Sequence, residues 1–147
     1  MKINLRLFLY RLVVKLRVLF RNYRFGICGA LSDIEYNLCI PGSTRFMHKG
    51  LGVVISHSVM LGEHVLIYQN VTLGGRGNTH PGTPVIGNDV VLFTGCCVFG
   101  DVKIGDGAIV GANAVVVDDV PSGAVVVGVP AVVVKSKNMI KIDKIYR

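Results

Sequence analysis

Four histidines, at positions 48, 57, 64 and 80, are the side chains of this 147-residue chain that ordinarily titrate nearest neutral pH. His48 stands in "RFMHKGLGVVIS", where Lys49 follows it and glycines lead into a run of aliphatic residues. An unperturbed imidazole has a pKa near ~6.5, so His48 could take the proton of a hydroxyl group as a general base. His57 and His64 are predicted to lie in exposed turns, and Lys49 is predicted to face solvent.

The element that must position His48 is a repeat of six residues, which carries aliphatic side chains in two rows. The first row holds Ile55, Leu61, Ile67, Leu73, Ile86, Leu92, Val98, Ile104, Val110 and Val116. The second row, four residues further on, holds Val59, Val65, Val71, Val90, Cys96, Val102, Ala108, Ala114 and Val120. Glycine often follows a residue of the first row, and Asn or Asp fills turn positions.

A helix cannot use this period, because six residues turn it by about 600° and the aliphatic side chains would spiral around it. A short strand followed by a tight turn does fit, with each six-residue unit forming one side of a triangular prism and eighteen residues forming one coil. The sequence therefore predicts a mainly β protein, a parallel β-solenoid whose branched aliphatic side chains stack inside the prism.

The repeat is interrupted between Leu73 and Ile86 by "GGRGNTHPGTP". Four glycines and two prolines cannot pair as a regular strand, so this segment is predicted to be a loop that leaves one edge of the prism. Loops on rigid scaffolds commonly carry function, and Arg76 and His80 are the residues of this loop that could do chemistry. Alternatively, it is a surface loop with an incidental histidine.

Charge is concentrated at the start of the chain. Residues 1–24 hold seven of the 16 Lys and Arg and no acid, and the nine remaining basic residues balance the nine acidic ones. A neutral body argues against a nucleic-acid-binding protein. Residues 1–24 resemble a basic amphipathic helix, which could lie on an anionic membrane or pack against the body or a sister subunit.

The four cysteines, at 28, 39, 96 and 97, form no CxxC pair and are interpreted as reduced cytosolic thiols. No constellation of residues predicts a metal site. We expect a cytoplasmic protein, which could be peripheral to the inner face of the membrane through residues 1–24.

With these motifs, residues 38–134 resemble the hexapeptide-repeat acyltransferases, whose units read [LIV]-G-x-x-x-x. The resemblance implies a left-handed parallel β-helix, usually assembled as a homotrimer, between a short helical segment (1–37) and a basic tail (135–147). The segments "GVVIS" and "QNVTLGG" are most similar to serine acetyltransferases and to enzymes that acetylate surface polysaccharides. The closing "VPSGAVVVGVPAVVV" is similar to the family's exit from the β-helix.

The resemblance implies an O-acetyltransferase that uses acetyl-CoA and no metal, with His48 as the catalytic base. The family's acidic partner of this histidine has no counterpart beside Ile40 and Pro41. Asp33 or Glu35 could reach back to supply it, or Asn37 could orient the ring without a charge. In the family the loop reaches the groove between subunits, which makes Arg76 and His80 candidates for binding the acceptor.

The coenzyme arm in this family runs along a groove between two prisms. The residues predicted to line it on successive coils are Gly74, Gly75, Thr94, Gly95, Gly111 and Ala112, with Lys135 as a partner for a phosphate.

Three functions follow as alternatives. The first is acetyl transfer to L-serine or to a sugar hydroxyl of a surface polysaccharide precursor. The second is a non-catalytic scaffold in which His48 only caps the solenoid. The third is a zinc hydratase on the same fold, which the spacing of the four histidines disfavours.

Overall fold

The computed structural model describes residues 40–77 and 82–135, together with the two-residue strand Asp33–Ile34. Within these ranges the chain forms fourteen short strands, and its helical segment is a single 3-10 turn at Met47–Gly50. Residues 1–32, where an amphipathic helix is predicted, and the tail from 136 onward lie outside the described residues.

The strands form three sheets, in which neighbouring strands come from different coils of the chain. The first sheet consists of β1 (Asp33–Ile34), β3 (Val54–Ile55), β6 (Thr72–Gly74), β9 (Cys97–Phe99) and β12 (Val115–Val116). The second sheet consists of β4 (Met60–Leu61), β7 (Val85–Ile86) and β10 (Lys103–Ile104). The third sheet consists of β2 (Arg45–Phe46), β5 (Leu66–Ile67), β8 (Val91–Leu92), β11 (Ile109–Val110), β13 (Val125–Val127) and β14 (Val132–Lys135).

Pairing between coils is parallel and in register with the repeat. Ile55 pairs with Leu73, eighteen residues further on, and Val98 pairs with Val116 in the same way. The coil that contains the loop is longer, so that Leu73 pairs with Val98. Because three six-residue sides complete each regular coil, equivalent side chains stack directly over one another, and the predicted prism is confirmed.

The two aliphatic rows form the interior. Every residue of both rows is buried in one continuous cluster except Leu61, which is partly buried against it. Cys96 takes its place in the second row, and its burial, with a smaller contribution from Cys97, raises the pKa of its thiol to about 12. This thiol therefore stays protonated and acts as a small apolar side chain.

Turns join the sheets along three edges of the prism. The first edge joins the third sheet to the first and consists of residues 51–52, 69–70, 94–95 and 112–113. The second edge joins the first sheet to the second and consists of residues 56–58, the two described ends of the loop (75–77 and 82–84), residues 100–101 and residues 118–119. The third edge joins the second sheet to the third and consists of residues 42–43, 63–64, 88–89, 106–107 and 122–123.

Glycine and asparagine alternate at the left-handed backbone positions of the first edge. Gly52, Asn70, Gly95 and Asn113 all have φ between 56° and 67° and follow one another on successive coils. A Cβ on Gly52 would overlap the side-chain oxygen of Asn70, and a Cβ on Gly95 would overlap that of Asn113. Asparagine tolerates this conformation, but its side chain leaves no room for a Cβ at the equivalent position of the preceding coil, which must therefore be glycine.

Side-chain oxygens complete the hydrogen bonding of the third edge. Asn88 Oδ1 accepts the backbone N–H of Glu63 at 2.9 Å, and Asp106 Oδ1 accepts that of Asn88 at 2.7 Å. Each polar side chain thus satisfies a turn N–H of another coil, which explains why Asn and Asp recur at this position of the repeat. His57 and His64 lie in exposed turns of the second and third edges, as predicted.

One interior position is polar. Thr44 aligns with Val65 of the adjacent coil, because the neighbouring Arg45 N–H donates to the Val65 carbonyl at 2.9 Å. Thr44 is buried, and its hydroxyl has no hydrogen-bond partner among the described residues. A buried hydroxyl without a partner has lost its hydrogen bonds to water and gained none in return.

We therefore expect Thr44→Val to raise the free energy of unfolding by about 1 kcal/mol, measured by urea denaturation followed by circular dichroism. The matched control is Val65→Thr, which places the same hydroxyl in the adjacent coil and should cost about 1–3 kcal/mol. A loss of stability in Thr44→Val would show that its hydroxyl is hydrogen-bonded in solution.

The asparagine column of the first edge generates a second prediction. Gly95 and Gly107 have almost the same φ, 67° and 66°, but a Cβ on Gly107 would meet open space. Gly107→Ala should cost about 1 kcal/mol for its backbone conformation alone, whereas Gly95→Ala should cost more because Asn113 must also move. The double variant Gly95→Ala/Asn113→Ala tests whether Asn113 is the cause. If it is, the double variant should lose less stability than the sum of the losses in Gly95→Ala and Asn113→Ala. Equal losses in Gly95→Ala and Gly107→Ala would contradict this explanation.

Candidate functional site

His48 lies where the chain passes from the third sheet to the first edge. It belongs to the turn Met47–Gly50, in which His48, Lys49 and Gly50 all have positive φ, between 50° and 68°. The carbonyl of His48 accepts the Leu51 N–H at 3.3 Å, and that of Gly50 accepts the Val53 N–H at 3.0 Å. This tight turn leaves the side chains of His48 and Lys49 exposed, so both are available to a ligand.

An aromatic ladder continues from His48 along the successive coils. The ring of Tyr68 lies 6.4 Å from that of His48, centre to centre, and 5.0 Å from that of Phe93. Rings at these separations make tilted contacts that hold one another in place. Tyr68 therefore supports one side of the His48 imidazole, a role that the sequence predictions did not give it.

Two side-chain oxygens beside this ladder have no hydrogen-bond partner in the part of the chain that the structure describes. Gln69 Oε1 and Thr94 Oγ1 are buried atoms without a hydrogen bond, and their residues follow Tyr68 and Phe93 on the first edge. The Gly95 N–H donates to the Gln69 carbonyl at 3.0 Å, so the two residues stand on adjacent coils. Thr94 was predicted to bind the coenzyme, whereas no role was predicted for Gln69, which is the first residue of the segment "QNVTLGG". Its position directly after Tyr68 in the repeat was the available signal.

The loop leaves the second edge, and its two ends are close together. A Cβ on Gly75 would lie 3.2 Å from the Gly82 carbonyl oxygen, and Gly82 packs against Asp101. The side chain of Arg76 lies over Gly100, where an added Cβ would stand 3.1 Å from Arg Cδ. Arg76 is thus exposed but rests on the coil beyond the loop. The loop prediction is confirmed at both ends, whereas His80 lies outside the described residues.

The predicted coenzyme residues occupy two edges. Gly74 and Gly75 begin the loop at the second edge, but Thr94, Gly95 and Ala112 stand on the first edge. The first sheet separates the two groups, so they do not form a single row, and their role toward a coenzyme stays a prediction. A Cβ on Gly74 would meet nothing within 4 Å, so this backbone is open to a ligand.

Gly95 and Gly111 have structural reasons to be glycine. The Cβ position of Gly95 is taken by the side chain of Asn113, and that of Gly111 by Val127. The Gly111 N–H donates to the Val126 carbonyl at 2.8 Å, and its carbonyl accepts the Ala114 N–H at 3.2 Å. Contacts within the fold thus explain both glycines, and their role toward a coenzyme stays a prediction.

The remaining predicted residues fall at the limits of the described chain. Asp33 is in β1, whose backbone pairs with β3 through Asp33 and Val54, and Lys135 ends β14. Glu35 lies outside the described residues, so the acidic partner of His48 stays a prediction. Within the described ranges, no three His, Cys, Asp or Glu side chains lie close enough together to hold a metal ion. The same part of the chain contains no helix long and apolar enough to cross a membrane.

Comparison with known proteins connects this geometry to a group of enzymes. No family model matches the chain. A serine acetyltransferase of Staphylococcus aureus is 44% identical over 98 residues, an alignment that covers 64% of this chain and 45% of that enzyme. The chain thus spans less than half the length of this relative.

Solved structures give the same result. A serine acetyltransferase in complex with CoA superimposes with a TM-score of 0.61 and 35% identity, over 70% of this chain and 41% of that one. The Neisseria gonorrhoeae serine acetyltransferase in complex with serine gives a TM-score of 0.56 and 34% identity, over 66% and 42%. The predicted left-handed parallel β-helix is confirmed, and over these residues the chain is similar in sequence and in fold to the serine acetyltransferases, as its resemblance to the hexapeptide-repeat acyltransferases predicted.

Proposed function

We propose that this protein transfers the acetyl group of acetyl-CoA to the hydroxyl of L-serine. The observation that carries the proposal is the 44% identity over 98 residues to a serine acetyltransferase. Similar structures include one complexed with CoA and one complexed with serine, the two ligands that the reaction needs. No relative or structure reported above supports the alternative acceptor, a sugar hydroxyl of a polysaccharide precursor.

His48 is proposed to be the general base of this reaction. Its imidazole takes the hydroxyl proton of serine as the hydroxyl oxygen attacks the thioester carbonyl carbon. The carbon–sulfur bond then breaks, and the thiolate of CoA receives the proton from the imidazolium, so that O-acetylserine and the free thiol leave. The exposed side chain and the Tyr68 ring beside it support this role, because the base must reach the acceptor in a defined orientation.

The donor is proposed to lie against the first and second edges. Gly74 leaves backbone open at the second edge, and the partnerless oxygens of Gln69 and Thr94 at the first edge could accept amide N–H groups of the pantetheine arm. Lys135 is the proposed partner of a coenzyme phosphate.

A homotrimer is proposed to complete the site. The loop with Arg76 leaves the second edge, whereas His48 stands beside the first, at the other margin of the first sheet. The loop of one subunit would therefore lie against the His48 turn of the next, where Arg76 and His80 would bind the carboxylate of serine. Asp33 and Glu35 precede this turn in the chain and are the proposed candidates for orienting His48.

The base is tested with asparagine, which tolerates left-handed backbone. His48→Asn should lower kcat for thiol release from acetyl-CoA with L-serine by about 10²- to 10⁴-fold, because general-base catalysis is lost. The matched control is His64→Asn, an exposed histidine at φ 58°, which should retain activity. Both variants should unfold at nearly the same temperature as the parent protein.

Lys49→Asn distinguishes His48 from its neighbour, which has the same backbone conformation and exposure. Loss of activity in Lys49→Asn, with full activity in His48→Asn, would move the base to residue 49. A folded parent protein that releases no thiol with serine or with a panel of simple sugars would favour the scaffold. Thiol release with a sugar but not with serine would replace the acceptor and leave the base in place.

A further inference from the structure

The outward face of the third sheet differs from those of the other two sheets. Leu66, Val91 and Ile109 precede the interior residues of β5, β8 and β11, so they point away from the prism interior. They are nevertheless 5%, 2% and 5% exposed. The corresponding outward residues of the first and second sheets include Val54, 39% exposed, and Met60, 64% exposed.

The three buried residues form an apolar cluster of their own, separate from the interior. The partly buried residues that pack against this cluster are Met47, Tyr68, Phe93 and Val125. Val125 pairs with Ile109 and continues the row, whereas Met47, Tyr68 and Phe93 come directly after β2, β5 and β8. Burial to a few per cent on the outside of a sheet requires atoms above it, and here it is reached within a single chain.

The sequence of residues 1–24 has the pattern that such a face needs. At 3.6 residues per turn, one narrow stripe of a helix collects Leu5, Phe8, Leu12, Leu16, Leu19 and Tyr23. The seven basic residues fall outside this stripe. The stripe lies in the widest sector of the helix that is free of charge, and Leu7, Val14 and Val18 lie on the opposite side. A helix with this pattern can bury the stripe and keep its charges in water.

The lengths also agree. From Leu5 to Leu19 a helix rises about 21 Å, and five strands from β2 to β13 span about 19 Å. Residues 25–32 then connect the segment to β1, with a reach of up to about 26 Å when extended. A helix parallel to the solenoid axis is thus long enough to cover the buried part of this row, Leu66 to Ile109, whereas Arg45 of β2 is exposed.

We propose that residues 1–24 form an amphipathic helix that packs lengthwise on the outward face of the third sheet. Its stripe from Leu5 to Leu19 contacts Leu66, Val91 and Ile109, and its basic residues face solvent. The stripe is then occupied by the protein's own sheet and is not free to enter a membrane. This proposal is independent of the proposed function.

The test measures how well this face is protected in the full-length chain. Ile109→Cys is labelled with a water-soluble maleimide, and modification at position 109 is followed by mass spectrometry. The tryptic peptide 104–135 that carries it contains none of the native cysteines, so the signal is specific. Met60→Cys, on the outward face of the second sheet, is the exposed reference, and buried Cys96 reports whether the β-helix stays folded.

Ile109→Cys should react at least about tenfold more slowly than Met60→Cys. Adding Leu12→Glu and Leu16→Glu should remove this protection, because two carboxylates cannot be buried against the sheet, while Cys96 stays unlabelled. The matched control, Arg6→Glu with Arg17→Glu, places the same charges on the basic side and should leave position 109 protected.

Other results would overturn the proposal in recognisable ways. Fast labelling of Ile109→Cys in the otherwise unchanged chain would show that the face is open. Continued protection with Leu12→Glu and Leu16→Glu would assign the cover to another segment. Protection that disappears on dilution would assign it to a second copy of the chain. Labelling that accelerates when phosphatidylglycerol vesicles are added would show that the stripe prefers a membrane.

Discussion

The stacking of equivalent aliphatic side chains, which fill the interior of a narrow prism, is the constraint on which this structure depends. Each coil places aliphatic side chains over those of its neighbours, and the parallel hydrogen bonds between coils hold that alignment. An extra residue cannot be accommodated within a side of the prism without shifting every later residue of the coil. The inserted residues between Leu73 and Ile86 are therefore expelled at an edge as a loop. The same packing constraint thus explains both the regular interior and the position of the inserted residues at an edge.

The same constraint explains where chemistry can occur. Interior positions are committed to packing, and most turn positions are committed to hydrogen bonds between coils. There are two exceptions. One is the turn Met47–Gly50, where His48 and Lys49 are exposed, and the other is the loop whose two ends lie close to Gly100 and Asp101. Both features stand beside regular structure that cannot move, which is how a repetitive scaffold can hold reactive groups in a fixed geometry.

The sequence predicted the fold well because a period of six directly encodes which side chains point inward. Both aliphatic rows, the exposed turns of His57 and His64, and the position of the loop could be read in this way. The period says nothing about which of the three edges a turn occupies. That requires counting coils of eighteen residues, and the loop shifts the count, so the sequence did not separate Gly74 at the second edge from Thr94 at the first. Nor did it separate Leu66 from Val54, since each precedes an inward residue and only the tertiary structure covers one of them.

The last strand has a consequence for how the protein behaves at high concentration. All coils before it add in the same direction, so an uncapped end would offer the next chain a ready template for endless stacking. Here β14 turns back and pairs antiparallel with β13, with an irregular register between Val125 and Val126. A further coil arriving in the usual direction would meet backbone groups at the wrong spacing and a rim of exposed valines instead of a continuing ladder. The reversal thus acts as a terminator that keeps a polymer-like architecture finite.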